Sequence, residues 1–392
     1  MTDLGCPFDA AYHRDPYPLW TKLREAGPAH RAETPDGLPI WLITRDADVR
    51  ALFQDERLSV NKAHSRGGYA GFSLPPALDA NLMNIDNADH LRLRRLVSQA
   101  FTPRRIAELR EHIQRHTDTL AEDLPAEAEL VADFADPLPL AVIGDLLRIP
   151  EPDRRTFSGW TNTMMRLPSL AEIADAVGNL HRYLVDLVAD RREHPGDDLL
   201  SGLIAARDEQ DRLSENELVS MAFLLLLAAT ENITHLITGG VRVLLRHPEQ
   251  LAALQRRPEL WDRAVEEIFR YVSPGQLAIR RFPLTDIDLH GTVLRAGDTV
   301  MLAIGSANRD PARYSDPDRF DIRRENSNTH LSLGHGLHYC LGAALARAQV
   351  HSGLSTVFRR HPGLRIGVAD GDLMWRTSFR GHALEALPVV CG

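Results

Sequence analysis

The chain of 392 residues is 44% apolar and 25% charged, which is ordinary for a globular protein with a sizeable core. Its net charge of −9 disfavours nucleic acid as a partner, and its longest apolar run is too short to cross a membrane. Only three cysteines occur, two of them near the chain ends, so we expect no disulfide framework and a reducing, cytoplasmic environment.

The N-terminal part of the chain alternates helical and strand patterns. A helix over residues 16–26, a strand over 40–44 and a helix from Asp46 are predicted first, and a loop without periodicity follows over residues 60–82. Loops of that length in compact proteins are usually functional or mobile. No repeat, linker or low-complexity tract interrupts the sequence, which predicts a single domain over residues 1–392.

Two charged pairs at helical spacing stand on either side of the chain centre. His90 and Arg94 are four residues apart and share one helix face, which by itself is typical of a solvated basic surface. Glu267 and Arg270 are one helical turn apart, a spacing that is also common on helix surfaces. Neither pair indicates a function without further context.

A long apolar helix is predicted between these two pairs. Ser214 and Glu217 form a capping box, with serine at the N-cap and glutamate three residues later. The helical pattern then runs to about Arg246, well beyond the ~11–12 residues of an average helix, so this helix is expected to cross the middle of the molecule. The plainest interpretation of Glu231 and His235, four residues apart on it, is a pair that holds the helix.

A glycine-rich loop delivers one cysteine just before a second apolar helix. Gly334, Gly336 and Gly342 permit backbone conformations closed to other residues, and Cys340 lies where a helix N-terminus favours the thiolate. Such a thiolate is a metal ligand or a nucleophile. The residues alone also leave open a zinc or copper site with His335 and His338, a catalytic cysteine with a base, and a buried structural cysteine.

The run Leu-Gly-His-Gly-Leu-His-Tyr-Cys-Leu-Gly, from Leu333 to Gly342, resembles the haem-binding loop of the cytochrome P450 superfamily, Phe-Gly-x-Gly-x-His/Arg-x-Cys-x-Gly. Further segments resemble that family in order and spacing, over essentially the whole chain. The resemblance implies a mainly α fold with a small β portion, in which haem b lies between the long central helix and the Cys340 loop. Cys340 is then the axial iron ligand, and it favours O–O cleavage by donating electron density to the metal.

The resemblance also implies roles for several other residues. Arg319, in the segment Asp-Pro-Asp-Arg-Phe, is expected to join Glu267 and Arg270 in a structural network. The haem propionates are expected to be held by four cationic or donor side chains: His90, Arg94, Arg281 and His338. Arg281 matches the family pattern better than its neighbour Arg280.

The centre of the long helix resembles the family's Ala-Gly-x-Asp/Glu-Thr segment, which relays protons, but it departs from that pattern twice. Ala229 replaces the glycine, and Asn232 replaces the threonine, while Glu231 retains the acid. Glu231 and Asn232 are therefore the expected catalytic residues. The expected walls of the substrate pocket are all apolar: Leu224, Leu227, Ala228, Leu277 and Ile279.

The function that this resemblance implies is a bacterial haem-thiolate monooxygenase that inserts one atom of O2 into an apolar small molecule. Ferredoxin and its reductase are expected to supply electrons, without a membrane partner. Because Asn232 replaces the family's threonine, a peroxygenase or an oxidative coupling enzyme is an alternative function. A non-catalytic haem-binding protein is a further alternative. Five arginines are expected to form a basic docking face for an acidic ferredoxin: Arg92, Arg95, Arg104, Arg105 and Arg347.

Overall fold

A computed structural model describes residues 4–70, 74–98, 103–166, 170–196, 198–208 and 213–392. Helices dominate it and the strands are short, which confirms the predicted mainly α fold with a small β portion. The α-helices are α1 (Ala10–Arg14), α2 (Tyr17–Ala26), α3 (Asp46–Gln54), α4 (Pro76–Asp79), α5 (Asn87–Ser98), α6 (Pro103–Glu122), α7 (Pro137–Leu146), α8 (Glu151–Arg166), α9 (Leu170–Glu193), α10 (Leu199–Asp208), α11 (Glu215–Leu245), α12 (Pro248–Arg256), α13 (Trp261–Val272), α14 (Ile304–Ala307) and α15 (Ala343–Arg360). The strands are β1 (Ala29–Glu33), β2 (Pro39–Ile43), β3 (Leu58–Ser59), β4 (Glu127–Glu129), β5 (Phe282–Pro283), β6 (Ile287–Leu289), β7 (Thr292–Leu294), β8 (Val300–Leu302), β9 (Arg365–Ile366) and β10 (Pro388–Val390).

The described residues fall into two compact units that are interleaved in sequence. One contains residues 4–70, 117–135 and 232–392, and the other contains the described parts of residues 74–116 and 136–231. The first unit holds the strands. In its principal sheet, β2 pairs antiparallel with β1 and parallel with β8, and the buried cluster beneath includes Trp41, Ile43 and Leu302.

The second unit consists of packed helices, and α9 packs against both α8 and α10. Asp145 on α7 binds several basic side chains of this unit. Its carboxylate lies 2.7 Å from His116 Nε2 and 2.8 Å from Arg154 Nη2. Burial would raise the pKa of Asp145, but these partners outweigh that effect and hold the pKa well below its usual range.

The predicted capping box starts α11 as expected. The Ser214 N–H donates to the Glu217 carboxylate at 2.7 Å, and the Glu217 N–H donates to Ser214 Oγ at 3.2 Å. Among the described residues, this helix alone has the length and hydropathy of a membrane span, but 61% of its most apolar window is buried inside the protein. The length and the burial of α11 match those of the predicted long core helix.

Two glycines near the C-terminal end of α11 allow other helices to approach its backbone. A Cβ atom on Gly239 would lie 2.5 Å from Val272 Cγ1, and one on Gly240 would lie 2.9 Å from Leu354 Cδ1. Real Cβ atoms do not approach other atoms so closely. The observed packing of α13 and α15 against α11 therefore depends on the absence of a side chain at positions 239 and 240.

A buried ion cluster ties α13 to the segment that follows α14. Glu267 and Arg270 are both 0% exposed, and Arg270 donates to both carboxylate oxygens of Glu267 at 2.7 Å. The third member is Arg324, whose Nε lies 3.2 Å from Glu267 Oε1. The prediction for Arg319 was wrong: its side chain is 69% exposed and pairs loosely with Asp321, while only its carbonyl accepts from Arg270 and Arg324.

Arg324→Ala is expected to lower the free energy of unfolding by about 3–5 kcal/mol, because it leaves the buried Glu267 carboxylate with one cation fewer. Arg319→Ala is the matched control, with an expected change within about 0.5 kcal/mol. Urea unfolding followed by far-UV circular dichroism measures both variants. Equal stabilities would mean that Arg324 adds nothing to the cluster.

Candidate functional site

Cys340 lies in a tightly turned loop just before α15. The Cys340 N–H donates to the Leu333 carbonyl at 2.8 Å, which closes the loop around a short 3-10 turn at Gly336–His338. Cys340 is partly buried and forms no disulfide, and α15 begins three residues later. The unpaired N–H groups of that helix start favour a thiolate at this position.

Two of the three glycines singled out in the sequence are required by the backbone of the loop; the third, Gly342, has an ordinary φ of −83°. Gly334 and Gly336 have φ values of 75° and 70°, a region that L side chains rarely adopt. A Cβ on Gly336 would also lie 3.0 Å from the Phe53 carbonyl oxygen. The loop therefore packs against the end of α3 through glycine.

The start of the loop is anchored by a buried asparagine, Asn308, for which the sequence predicted no role. Asn308 Oδ1 accepts from the Leu331 N–H at 2.7 Å, and Asn308 Nδ2 donates to Ser273 Oγ and Ser332 Oγ. Ser332 Oγ in turn donates to the Phe269 carbonyl at 2.5 Å. A polar residue directly after the apolar run of β8 and α14 was the available signal.

The geometry gives the zinc and copper alternative no support. In the part of the chain that the structure describes, no three His, Cys, Asp or Glu side chains are arranged to hold a metal ion. His335, one of the three ligands considered, has its Nε2 2.7 Å from Gln54 Nε2, and burial lowers its pKa. A single thiolate on a glycine loop suits an iron that takes its remaining ligands from a macrocycle.

The centre of α11 carries a stripe that is open although the helix is mainly buried. Ala228 and Asn232 are exposed and four residues apart, whereas Leu224 is only 8% exposed. Leu227 and Glu231 are half-buried. Thr234 points elsewhere, because it is 1% exposed and its hydroxyl donates to the Ala135 carbonyl at 3.1 Å.

The four predicted propionate partners are divided between the two units. His90 is 1% exposed and Arg94 is half-buried on α5, in the second unit. Arg281 is 2% exposed in the first unit, where its guanidinium lies 5.0 Å above the Phe53 ring. His338 belongs to the same unit as Arg281 and is half-buried in the Cys340 loop.

Arg92 and Arg347 each have a carboxylate partner. Arg92 Nη2 contacts Glu217, and Arg347 makes a bidentate contact with Glu266. Arg95 is exposed on α5. The side chains of Arg104 and Arg105 lie outside the described residues.

The two predicted pocket walls near β5 differ in burial. Leu277 is 4% exposed and belongs to a hydrophobic cluster with Trp20 and Met301. Ile279 is half-buried.

Comparison with known proteins gives consistent matches. The cytochrome P450 family model matches residues 156–362. The chain is 40% identical to the cytochrome P450 monooxygenase PikC of Streptomyces venezuelae, over 99% of this chain and 94% of PikC. It is 38% identical to the tirandamycin C-bound P450 monooxygenase TamI, with a TM-score of 0.93 and all of both chains covered. It is also 36% identical to CxnD, a cytochrome P450 for C–S bond formation in chuangxinmycin biosynthesis, with a TM-score of 0.88 over 96% of this chain and 94% of CxnD.

Proposed function

This chain belongs to the cytochrome P450 family, and from that membership we propose how its residues hold the haem, supply protons and admit a substrate. The enzyme is a haem monooxygenase of bacterial secondary-metabolite biosynthesis. When bound, the haem supplies the activation of O2 and the transfer of one oxygen atom. Residues 1–392 are proposed to act in the cytoplasm as one catalytic domain.

The proposed cofactor is haem b, with Cys340 as its axial ligand. The supporting observation is that Cys340 lies on a glycine-shaped loop ahead of α15, with a backbone fixed by its bond to Leu333. His90, Arg94, Arg281 and His338 are proposed to bind the propionates. Burial of His90 and Arg281 supports these roles, because buried carboxylates require donors that are themselves held in place.

Proton delivery is assigned to Glu231 and Asn232. A carboxamide donates through its NH₂ group, but its donor and acceptor ends are fixed, so it is a poor proton shuttle. We therefore assign Asn232 the task of orienting a water, and Glu231 the task of passing protons to it. The exposure of Asn232 and the bonding of Thr234 to Ala135 support this division.

The proposed substrate is a largely apolar secondary metabolite. Leu224, Leu227, Ala228 and Ile279 carry no charge, and the exposed Ala228 leaves room beside Asn232. Leu277 is also a proposed wall of the substrate pocket. Its packing with Trp20 and Met301 makes it the least accessible of the five wall residues. Tirandamycin C, the ligand of the similar TamI, is a suitable first probe in spin-state titrations.

Ferredoxin, reduced by its reductase, is the proposed electron donor. Of the five arginines predicted for its docking face, Arg95 keeps an exposed cation, whereas Arg92 and Arg347 are neutralised by Glu217 and Glu266. Docking by Arg95 would act mainly on the association rate and would weaken with salt.

A second candidate function is oxidative coupling without oxygen insertion. Two observations favour it: Asn232 in place of threonine, and the similarity to CxnD, which forms C–S bonds. Incorporation of label from ¹⁸O₂ into the product separates the two functions, because coupling leaves the product without it.

The reduced, CO-bound protein is expected to show the strongly red-shifted Soret band of thiolate ligation. Cys340→His should replace that band with the spectrum of imidazole ligation, since the ligand atom changes from sulfur to nitrogen. An unchanged band in Cys340→His would rule out Cys340 as the ligand.

Arg94→Ala and Arg281→Ala are expected to release haem about tenfold faster than the wild type, because each removes a charge-assisted hydrogen bond worth ~1.5–3 kcal/mol. Transfer of haem to excess apomyoglobin measures the rate. Arg95→Ala, on an exposed position of the same helix as Arg94, is the matched control and should not differ from the wild type. Identical rates in all three variants would contradict the assignment.

Asn232→Thr is expected to retain coupled turnover, because a threonine hydroxyl both donates and accepts. Asn232→Ala should release several times more peroxide per electron, because nothing then orients the relay water. Peroxide and product are measured per NADPH consumed in a surrogate ferredoxin system. If Asn232→Ala stays fully coupled, Asn232 is a pocket wall and the substrate itself supplies the polar group.

A further inference from the structure

One carboxylate contacts both ends of the loop that carries Cys340. Glu266 on α13 accepts from Arg347 Nε at 2.5 Å through Oε1, and from Arg347 Nη2 at 3.0 Å through Oε2. Its Oε2 also lies 3.2 Å from Nε2 of His330. His330 precedes Cys340 by ten residues and Arg347 follows it by seven, so the same side chain joins the entrance and the exit of the loop.

His330 is fixed in one tautomer by its surroundings. The Ser332 N–H donates to His330 Nδ1 at 3.1 Å, so the proton of the neutral ring lies on Nε2. That nitrogen approaches Glu266 Oε2 closely, but the contact lacks the alignment of a full hydrogen bond. The ring is stacked on Phe269 at a centroid distance of 5.3 Å and an interplanar angle of 8°. Burial lowers the pKa of His330, which keeps the ring neutral and the Ser332 bond intact.

Arg347 completes the connection on the exit side. It lies on the second turn of α15, and its Nη1 is 3.3 Å from the hydroxyl of Tyr339, the residue next to Cys340. Its bidentate contact with Glu266 fixes the direction of the guanidinium, as planar pairs of this kind do. The first turns of α15 are thereby joined to α13.

We propose that Glu266 is a positioning residue that holds the Cys340 thiolate in its iron-binding conformation, by joining His330 and Arg347 across the base of the loop. This inference rests on the proposed role of Cys340 as the iron ligand. Glu266 does not reach the reacting atoms; it acts through the loop. It differs in this from its neighbour Glu267, which binds Arg270 and Arg324.

The charge of Glu266 is maintained by the partners that it joins. Burial would raise the pKa of its carboxyl, but its interactions with His330 and Arg347 outweigh burial and hold the pKa at about 2. Because the pKa is lowered from 4.5 on folding, the stabilisation is complete above the ordinary pKa and is lost as the pH falls through the lowered one. The connection is therefore intact at neutral pH.

The test is Glu266→Gln, which keeps the shape of the side chain but not its hydrogen-bonding pattern. A carboxylate accepts at both oxygens, whereas an amide places an NH₂ group opposite either Arg347 or His330, both of which present donors. In the reduced, CO-bound holoenzyme under mild urea, the thiolate Soret band of this variant should convert to the neutral-thiol band about tenfold faster than in the wild type, because a charge-assisted contact is lost. The far-UV circular dichroism should stay unchanged.

Asp262→Asn is the matched control, since Asp262 lies on the same helix with a 96% exposed side chain and only a distant contact to His351. It should convert at the wild-type rate. Arg347→Gln leaves Glu266 and His330 in place and tests the exit side alone; it should also convert faster, and it serves if Glu266→Gln fails to fold. Wild-type rates in both Glu266→Gln and Arg347→Gln would overturn the inference, whereas a wild type without a thiolate band would overturn the assignment of Cys340 itself.

Discussion

A carboxylate buried completely between two guanidinium groups is the interaction on which the Cys340 region depends. Glu267 is inaccessible to solvent, and its oxygens accept from Arg270, Arg324 and the Asp321 N–H. Arg270 also donates to the carbonyls of Asn308 and Pro317. Burying such charges is costly unless every donor and acceptor is satisfied, so the cluster specifies one arrangement of α13 and the irregular segment over residues 308–324.

The two adjacent glutamates of α13 have different structural roles. Neighbouring residues on a helix point about 100° apart, so Glu267 faces the buried cluster while Glu266 faces the ends of the Cys340 loop. Asn308 links the buried cluster to the Cys340 loop. Its carbonyl accepts from Arg270, and its side chain holds Leu331 and Ser332 at the start of the loop. The position of Cys340 thus depends on contacts with α13 as well as on the loop itself.

The sequence predicted those features that depend on local chemistry. The capping box located the start of α11 to the residue, and the glycine pattern located the positive-φ turns before Cys340. Arg319 and Arg324 show where this reasoning fails. They are five residues apart in an aperiodic segment, and only tertiary burial decides which guanidinium reaches Glu267. Glu266 was missed for the same reason. Nothing in the sequence near Glu267 indicates that the fold brings His330 and Arg347 to the adjacent acidic residue.

The role proposed for Asn232, which replaces the family's threonine, depends on where the neighbouring threonines of α11 point. Helical periodicity turns Thr234 away from the face shared by Ala228 and Asn232, and the hydroxyl of Thr234 donates to the Ala135 carbonyl. Thr230 also turns back on its own helix, toward the Leu227 carbonyl at 3.4 Å. Neither threonine hydroxyl is therefore directed along the open stripe. In the proposed relay, Asn232 and the adjacent half-buried Glu231 are the polar groups beside this stripe. A fixed amide donor beside an acid suits a relay through water better than a hydroxyl relay.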